Sequence, residues 1–242
     1  MKRFLVGFYM SFVLLCFNAC GDNHSTEPFI ETSTVTDHEG HTYKTVKIGD
    51  QWWMAENLEV TTFRTGNPIQ HIESVNEWST TTQPAYSTYN NNDSGFGPLY
   101  NLYAVTSGEG IAPEGWHVPT DEDWKILESQ IGMPAAELDK TNWRGTNEGD
   151  KLKEETTNTT GWNYYKGIWG TNETGFSATG GSCRVFNGEW GIPGIRHSGF
   201  WWTSTIEYGC GWYRYLDYKK SGIFRFCAYP NYGFSVRCVK NN

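Results

Sequence analysis

Basic residues are scarce in this chain. Only 19 Lys and Arg stand against 27 Asp and Glu, for a formal net charge of −8. A chain this acidic lacks the basic face that a phosphate backbone requires, so nucleic acid is not an expected partner. Charged residues of both signs make up only 19%, and aliphatic residues are few. Coiled coils and helical bundles are rich in Ala, Leu, Glu, Lys and Arg, so both are excluded. Beyond Phe17 no apolar run approaches the ~18 residues that a membrane-spanning helix needs. HExxH, GxSxG and phosphate-loop motifs are absent. There is no CxxC and no Cys/His cluster at zinc spacing. His38, His41, His71, His117 and His197 are scattered, with no nucleophile and orienting partner to complete a hydrolytic set. His117, inside Gly-Trp-His-Val-Pro, reads as a hydrogen-bonded structural histidine. No catalytic residues are expected.

What is abundant is aromatic surface: 12 Trp, 14 Tyr and 13 Phe in 242 residues. That is ample apolar area for a packed core, and it excludes disorder. The 27 Gly, with many Asn, Ser and Thr, imply frequent turns. The length fits one domain.

The N-terminus reads as an export signal. Lys2 and Arg3 precede an uncharged stretch from Phe4 to Phe17, too short to span a bilayer but suited to a signal peptide. Ala19-Cys20-Gly21 follows and resembles a bacterial lipoprotein lipobox, which implies acylation at Cys20 and a membrane-anchored, exported protein. Residues 1–19 are then the signal and residues 20–36 an acylated cysteine with a polar tether. Residues 37–242 are the folded domain. Loss of the signal leaves 17 basic against 27 acidic residues.

Within the domain, Tyr43 to Ile48 and Gln51 to Leu58 read as strands around a Gly49-Asp50 turn. Residues 64–98 read as a long loop. Leu99 to Val105 suits helix or strand. The clearest helix follows Pro119: Thr120 is an N-cap with Asp123 in capping-box position. Trp124, Leu127 and Ile131 form its apolar face, and Gly132 and Pro134 end it. From Thr141 short β-prone runs return. Strands, helix, then strands again describe an α+β domain rather than alternating βαβ units.

Cys183, Cys210, Cys227 and Cys238 remain in the domain, an even number in an exported chain. Four cysteines allow three connectivities. The nested pairs Cys183–Cys238 and Cys210–Cys227 are favoured, because the inner pair flanks a hairpin of Trp212–Tyr218 and Ile223–Tyr229 around Lys219 to Gly222.

Seven motifs in order resemble the Fibrobacter succinogenes major paralogous domain. They are Ile48 to Leu58 (IGDQWWMAENL), Gly97 to Asn101 (GPLYN), Pro113 to Asp121 (PEGWHVPTD), Gly149 to Lys153 (GDKLK), Gly175 to Ala178 (GFSA), Phe200 to Thr205 (FWWTST) and Gly233 to Val239 (GFSVRCV). The resemblance spans about Asp37 to Lys240. It implies a secreted or surface protein, often an outer-membrane lipoprotein, with no assigned reaction. It also implies a fold similar to C-type lectin-like and formylglycine-generating-enzyme-like domains, with short antiparallel strands, one or two helices, long loops and paired terminal strands. Trp52, Trp116, Trp124 and Trp201 then read as core. The Glu-Pro-Asn, Gln-Pro-Asp and Trp-Asn-Asp calcium motifs of true C-type lectins are missing. Calcium held by backbone and carboxylate oxygens stays open, with no ligand set to name. An oxidase reading, by likeness to the formylglycine-generating enzyme, requires a reduced cysteine pair. No cofactor is expected.

A binding role is left, toward an extracellular glycan or protein. If Leu216 faces the core, alternation points Tyr213, Tyr215 and Asp217 outward. If Phe224 and Phe226 face the core, Arg225 and Tyr229 point outward. Tyr and Arg are enriched at recognition hot spots, so these five residues form the expected ligand face. The competing role is cross-strand stiffening of the hairpin, and the alternatives for the chain as a whole are an oxidase or hydrolase on a formylglycine-generating-enzyme-like fold or a structural envelope protein.

Overall fold

The computed structural model describes residues 30–91, 95–155 and 161–242. The expected signal, the expected acylation site Cys20 and most of the expected tether lie outside the described residues. In chain order the elements begin with β1 (Thr32–Thr36), β2 (Thr42–Ile48), β3 (Gln51–Met54) and β4 (Gln70–His71). Next come α1 (Val75–Thr80), β5 (Ala85–Ser87), β6 (Leu99–Tyr100), α2 (Leu102–Val105) and β7 (Trp116–His117). Then follow α3 (Asp121–Gln130), α4 (Ala135–Leu138), β8 (Asn142–Arg144) and α5 (Glu148–Leu152). The C-terminal part holds β9 (Ser198–Glu207), β10 (Cys210–Asp217), β11 (Ile223–Ala228) and β12 (Val239–Lys240).

The result is an α+β domain built on mostly antiparallel sheets. One sheet has the order β1-β2-β3-β12-β7, so strands from both ends of the domain share it. A second has the order β8-β11-β10-β9, and a small third sheet joins β4, β5 and β6. Only the β4–β5 pairing is parallel among these. The domain begins earlier than expected: residues 32–36, expected as tether, are strand β1. Three threonines and a valine are β-branched, and all five residues pair in register with β2. The 64–98 segment likewise holds β4, α1 and β5 rather than being loop throughout. Leu99 to Val105 divides between strand β6 and helix α2.

Helix α3 forms as its sequence dictates. Thr120 Oγ1 accepts from the Asp123 amide at 3.1 Å, and the Asp123 carboxylate accepts from the Thr120 amide at 2.8 Å. Trp124, Leu127 and Ile131 are buried, and each such side chain contributes about 1.5–3 kcal/mol. Trp53, Trp124 and Phe176 pack edge to face with centroids 5.1–5.9 Å apart. Trp116 and Trp201 are core as expected, whereas Trp52 is half-buried at the margin and its neighbour Trp53 takes the interior place.

Several of the quoted motifs meet at one buried knot. Asn57 Oδ1 accepts from Trp201 Nε1 at 3.0 Å and from Arg237 Nε at 2.9 Å. Arg237 also donates to the carbonyls of Phe176 and Ser177. Burial lowers the Arg237 guanidinium to about 9. Residues far apart in sequence are thus tied together, and these motif positions serve architecture.

Cys210 and Cys227 form a disulfide with Cα atoms 5.6 Å apart, as expected from the hairpin. The outer pair is a correction: Cys183 and Cys238 are separate buried thiols. Arg184 pairs with Gly233, which sets Cys183 near Phe234. Cys238 lies four residues further along, roughly 13 Å of extended chain, beyond the ~7 Å Cα reach of a disulfide.

Candidate functional site

The four-stranded sheet β8-β11-β10-β9 carries different chemistry on its two faces. The inner face meets α3 and is ionic. Arg214 donates to Glu128 at 2.6 Å and to Asp121 at 2.7 Å. Arg225 grips Asp121 with two bonds of 2.9 and 2.7 Å, and Arg144 reaches Glu128 at 2.6 Å. All five side chains are buried. Burial alone would raise the Asp121 carboxyl, but the bonds from Arg225 and Arg214 hold it down at about 2. For Arg225, burial opposes the charge, yet the bond to Asp121 raises its pKa above the ordinary value. Its guanidinium also lies 3.8 Å from the Trp212 ring centroid.

The opposite, outer face is aromatic and itself partly core, with Trp202 and Phe234 fully buried there. Strand register sets Trp143 opposite Phe224, Phe224 opposite Tyr215, and Tyr215 opposite Phe200. The rings touch in the same order, with centroids 5.4, 5.7 and 4.4 Å apart. A second row places Phe226 opposite Tyr213 and Tyr213 opposite Trp202. The chain of contacts runs on from Tyr213 to Phe234, Tyr232, Phe186 and Tyr229. In the first row the rings use each other: Phe200 and Tyr215 stack at 3°, while Phe224 stands 70° to Tyr215. This row therefore stiffens the sheet as cross-strand pairs do. Open ring surface lies beyond it, at Phe226 (43% exposed), Phe186 (45%) and Tyr229 (67%). Ile206 and Tyr208 are also exposed, in and just after the end of β9. Register pairs Ile206 with Gly211 and Gly211 with Ala228, so these side chains gather at the disulfide end of the sheet.

The five residues expected to form one ligand face do not come together. Tyr213 and Tyr215 are half-buried on the outer face, and burial raises both phenols, Tyr215 further through its bond to Asp217. Asp217 sits at the turn end, accepting from the Tyr215 hydroxyl and from the Lys219 amide at 2.7 Å. Tyr229 is outward but follows the opposite end of β11. Seven residues of strand, roughly 23 Å, separate Asp217 from that end. Arg225 is the clear correction: it points inward, and Phe224 and Phe226 point outward. The cause is α3, whose Asp121 and Glu128 sit two turns apart on the helix's buried face and draw the arginines to it. Two acids in line with Trp124 and Leu127 mark a polar patch on the buried side of α3, but they do not say which strand residues meet it. Phe226, expected to face the core with Phe224, is exposed instead, and Phe186, for which the sequence offers no signal, is exposed beside Tyr229.

His117 is held by Asn241 at 2.7 Å and Asp123 at 3.1 Å, a structural role as expected. Among the described residues no group of three or more His, Cys, Asp or Glu side chains converges as metal ligands do. The cysteines that an oxidase reading requires in reduced form are joined as Cys210–Cys227. No helix of the described residues is long and apolar enough to cross a membrane.

The fold and surface together define an α+β domain, ionic beneath its C-terminal sheet and aromatic above it. The chain belongs to the Fibrobacter succinogenes major domain family, whose model matches residues 46–240. Strand β1 precedes the matched region and completes one edge of the first sheet. No curated protein and no solved structure gives a significant match.

Proposed function

We propose that this chain is a recognition module displayed outside the cell, anchored by lipid at Cys20, that binds a glycan or protein ligand. It performs no catalysis in this reading. The observation that carries the reading is the open aromatic surface at the disulfide end of the four-stranded sheet, where Phe186, Phe226 and Tyr229 keep exposed ring area. Exposed apolar patches of this kind mark interaction sites, and aromatic rings give large contact area at small entropic cost. The disulfide pins the strand ends that carry them, which preorganises the surface. The likeness to lectin-like domains belongs to the same reading.

Anchoring and binding are tested separately. Cys20→Ala is expected to move the protein from the detergent phase to the aqueous phase, and continued detergent partitioning would count against the anchor. For binding, the full chain in detergent is probed on glycan and protein arrays, with and without calcium. Phe226→Ala and Tyr229→Ala are expected to cost under about 0.5 kcal/mol of stability, as exposed sites do. Each is expected to weaken binding by about 1 kcal/mol or more. Unchanged binding in both variants would place the ligand elsewhere.

A further inference from the structure

A second exposed cluster lies at the other end of the C-terminal hairpin, and its chemistry is cationic. The segment Tyr164–Trp169 is a tight turn closed by the Ile168 amide donating to the Tyr165 carbonyl at 2.8 Å. Lys166 and Gly167 both have positive φ, as such a turn requires. Tyr164 and Trp169 flank it, 62% and 53% exposed, with ring centroids 5.7 Å apart. Two ammonium groups converge on the next ring: Lys166 Nζ lies 5.4 Å and Lys219 Nζ 5.3 Å from the Tyr165 centroid. Lys219 is also 5.0 Å from Tyr218, whose ring meets Tyr165 at 5.7 Å. Among the described residues neither ammonium joins a carboxylate in an ion pair. The neighbouring acid, Asp217, already accepts from the Lys219 amide and the Tyr215 hydroxyl. In a chain with a formal net charge of −8, two like charges gathered on one half-buried ring are an exception to the general field.

Resting on the recognition reading above, we propose that this cluster is a subsite for an acidic sugar residue, a uronic acid within a glycan. The apolar face of the sugar stacks on Tyr164 or Trp169. Its carboxylate sits between Lys166 and Lys219 and accepts charge-assisted hydrogen bonds from both. A neutral sugar meets the rings but leaves the cations unpaired. A wholly apolar partner would have to desolvate both ammonium groups.

The test titrates the full chain in detergent with an oligogalacturonide, following tryptophan fluorescence. A neutral galactose oligomer of equal length runs beside it. The oligogalacturonide is expected to bind at least about tenfold more tightly than the neutral chain, and to weaken when salt rises from roughly 0.05 to 0.5 M. Lys166→Asn removes the charge yet suits the positive φ, and Lys219→Gln removes the other. Each is expected to weaken binding about tenfold, the size of one lost charge-assisted contact, while Lys219→Arg retains most of it. Equal binding of the neutral chain, lysine variants that bind like the wild type, or no binding of the oligogalacturonide would each overturn the acidic subsite. If an array ligand still binds and is lost in Phe226→Ala, the subsite alone has failed. If nothing binds the chain at all, the recognition reading fails with it.

Discussion

Replacing Arg225 by alanine separates two accounts of the C-terminal sheet. On an exposed face the change should cost under about 0.5 kcal/mol. In the structure Arg225 is buried, makes two bonds to Asp121, donates to the Asp139 carbonyl at 2.9 Å and covers Trp212. Without it Asp121 loses two of its three charge-assisted side-chain bonds and keeps only Arg214, and breaking a buried ionic contact of this kind costs about 3 kcal/mol. That is a large part of a typical domain stability of about 5–15 kcal/mol. The melting temperature should therefore fall by roughly 10 °C in a domain of this size. The loss has a pH signature. Asp121 is lowered from 3.8 to about 2, and a depressed carboxyl stabilises the fold above its unfolded value and stops doing so as pH falls through its folded value. Its contribution, about 2 kcal/mol, is therefore present above pH 4 and lost on approach to pH 2, so the gap between wild type and variant should narrow there. Urea denaturation at several pH values reads both effects. A cost below about 0.5 kcal/mol at neutral pH would refute the inward placement of Arg225.

Other expectations follow from the cysteines and from His117. Converting Cys210 and Cys227 to serine opens a 17-residue separation and should cost about 3 kcal/mol, read by denaturation with and without reductant. Cys183 and Cys238 are buried, and burial pushes the Cys183 thiol up to about 12, so both should resist alkylation until the protein unfolds. A cross-linked peptide containing both would contradict this. The hydrogen bond that the His117 imidazolium donates to Asp123 raises His117 above its ordinary 6.5, so that pair stabilises the fold fully below pH 6.5 and fades as pH rises through the folded value. An NMR titration should place the midpoint above 6.5, and His117→Gln should remove that limb from the stability profile. A midpoint at or below 6.5 counts against the contact.

The helix after Pro119 was legible because cap, apolar spacing and stop signals agree there. The hairpin and its inner disulfide were legible because turn residues and cysteine spacing are local. Parity along β11 was not, since Phe-Arg-Phe permits either face and a partner 104 residues away, Asp121, decides it. The seven motifs fixed the family, yet Asn57, Trp201 and Arg237 take part in a buried knot and say nothing of a ligand. The Tyr165 cluster could not be read from sequence either, because Lys166 and Lys219 meet only when two turns fold beside each other. The extra cysteine pair misled because an even count carries no geometry.

Ligand binding is proposed for the open rings at the disulfide end of the C-terminal sheet. The most direct measurement takes one array-identified ligand and compares its affinity for wild type, the Phe226→Ala/Tyr229→Ala double variant and a control changed on α3's exposed side, Ile126→Ala. The double variant is expected to lose at least tenfold in affinity with its melting curve nearly unchanged, and the control to bind as wild type does. Wild-type affinity in the double variant, or equal losses in the control, would contradict the proposal.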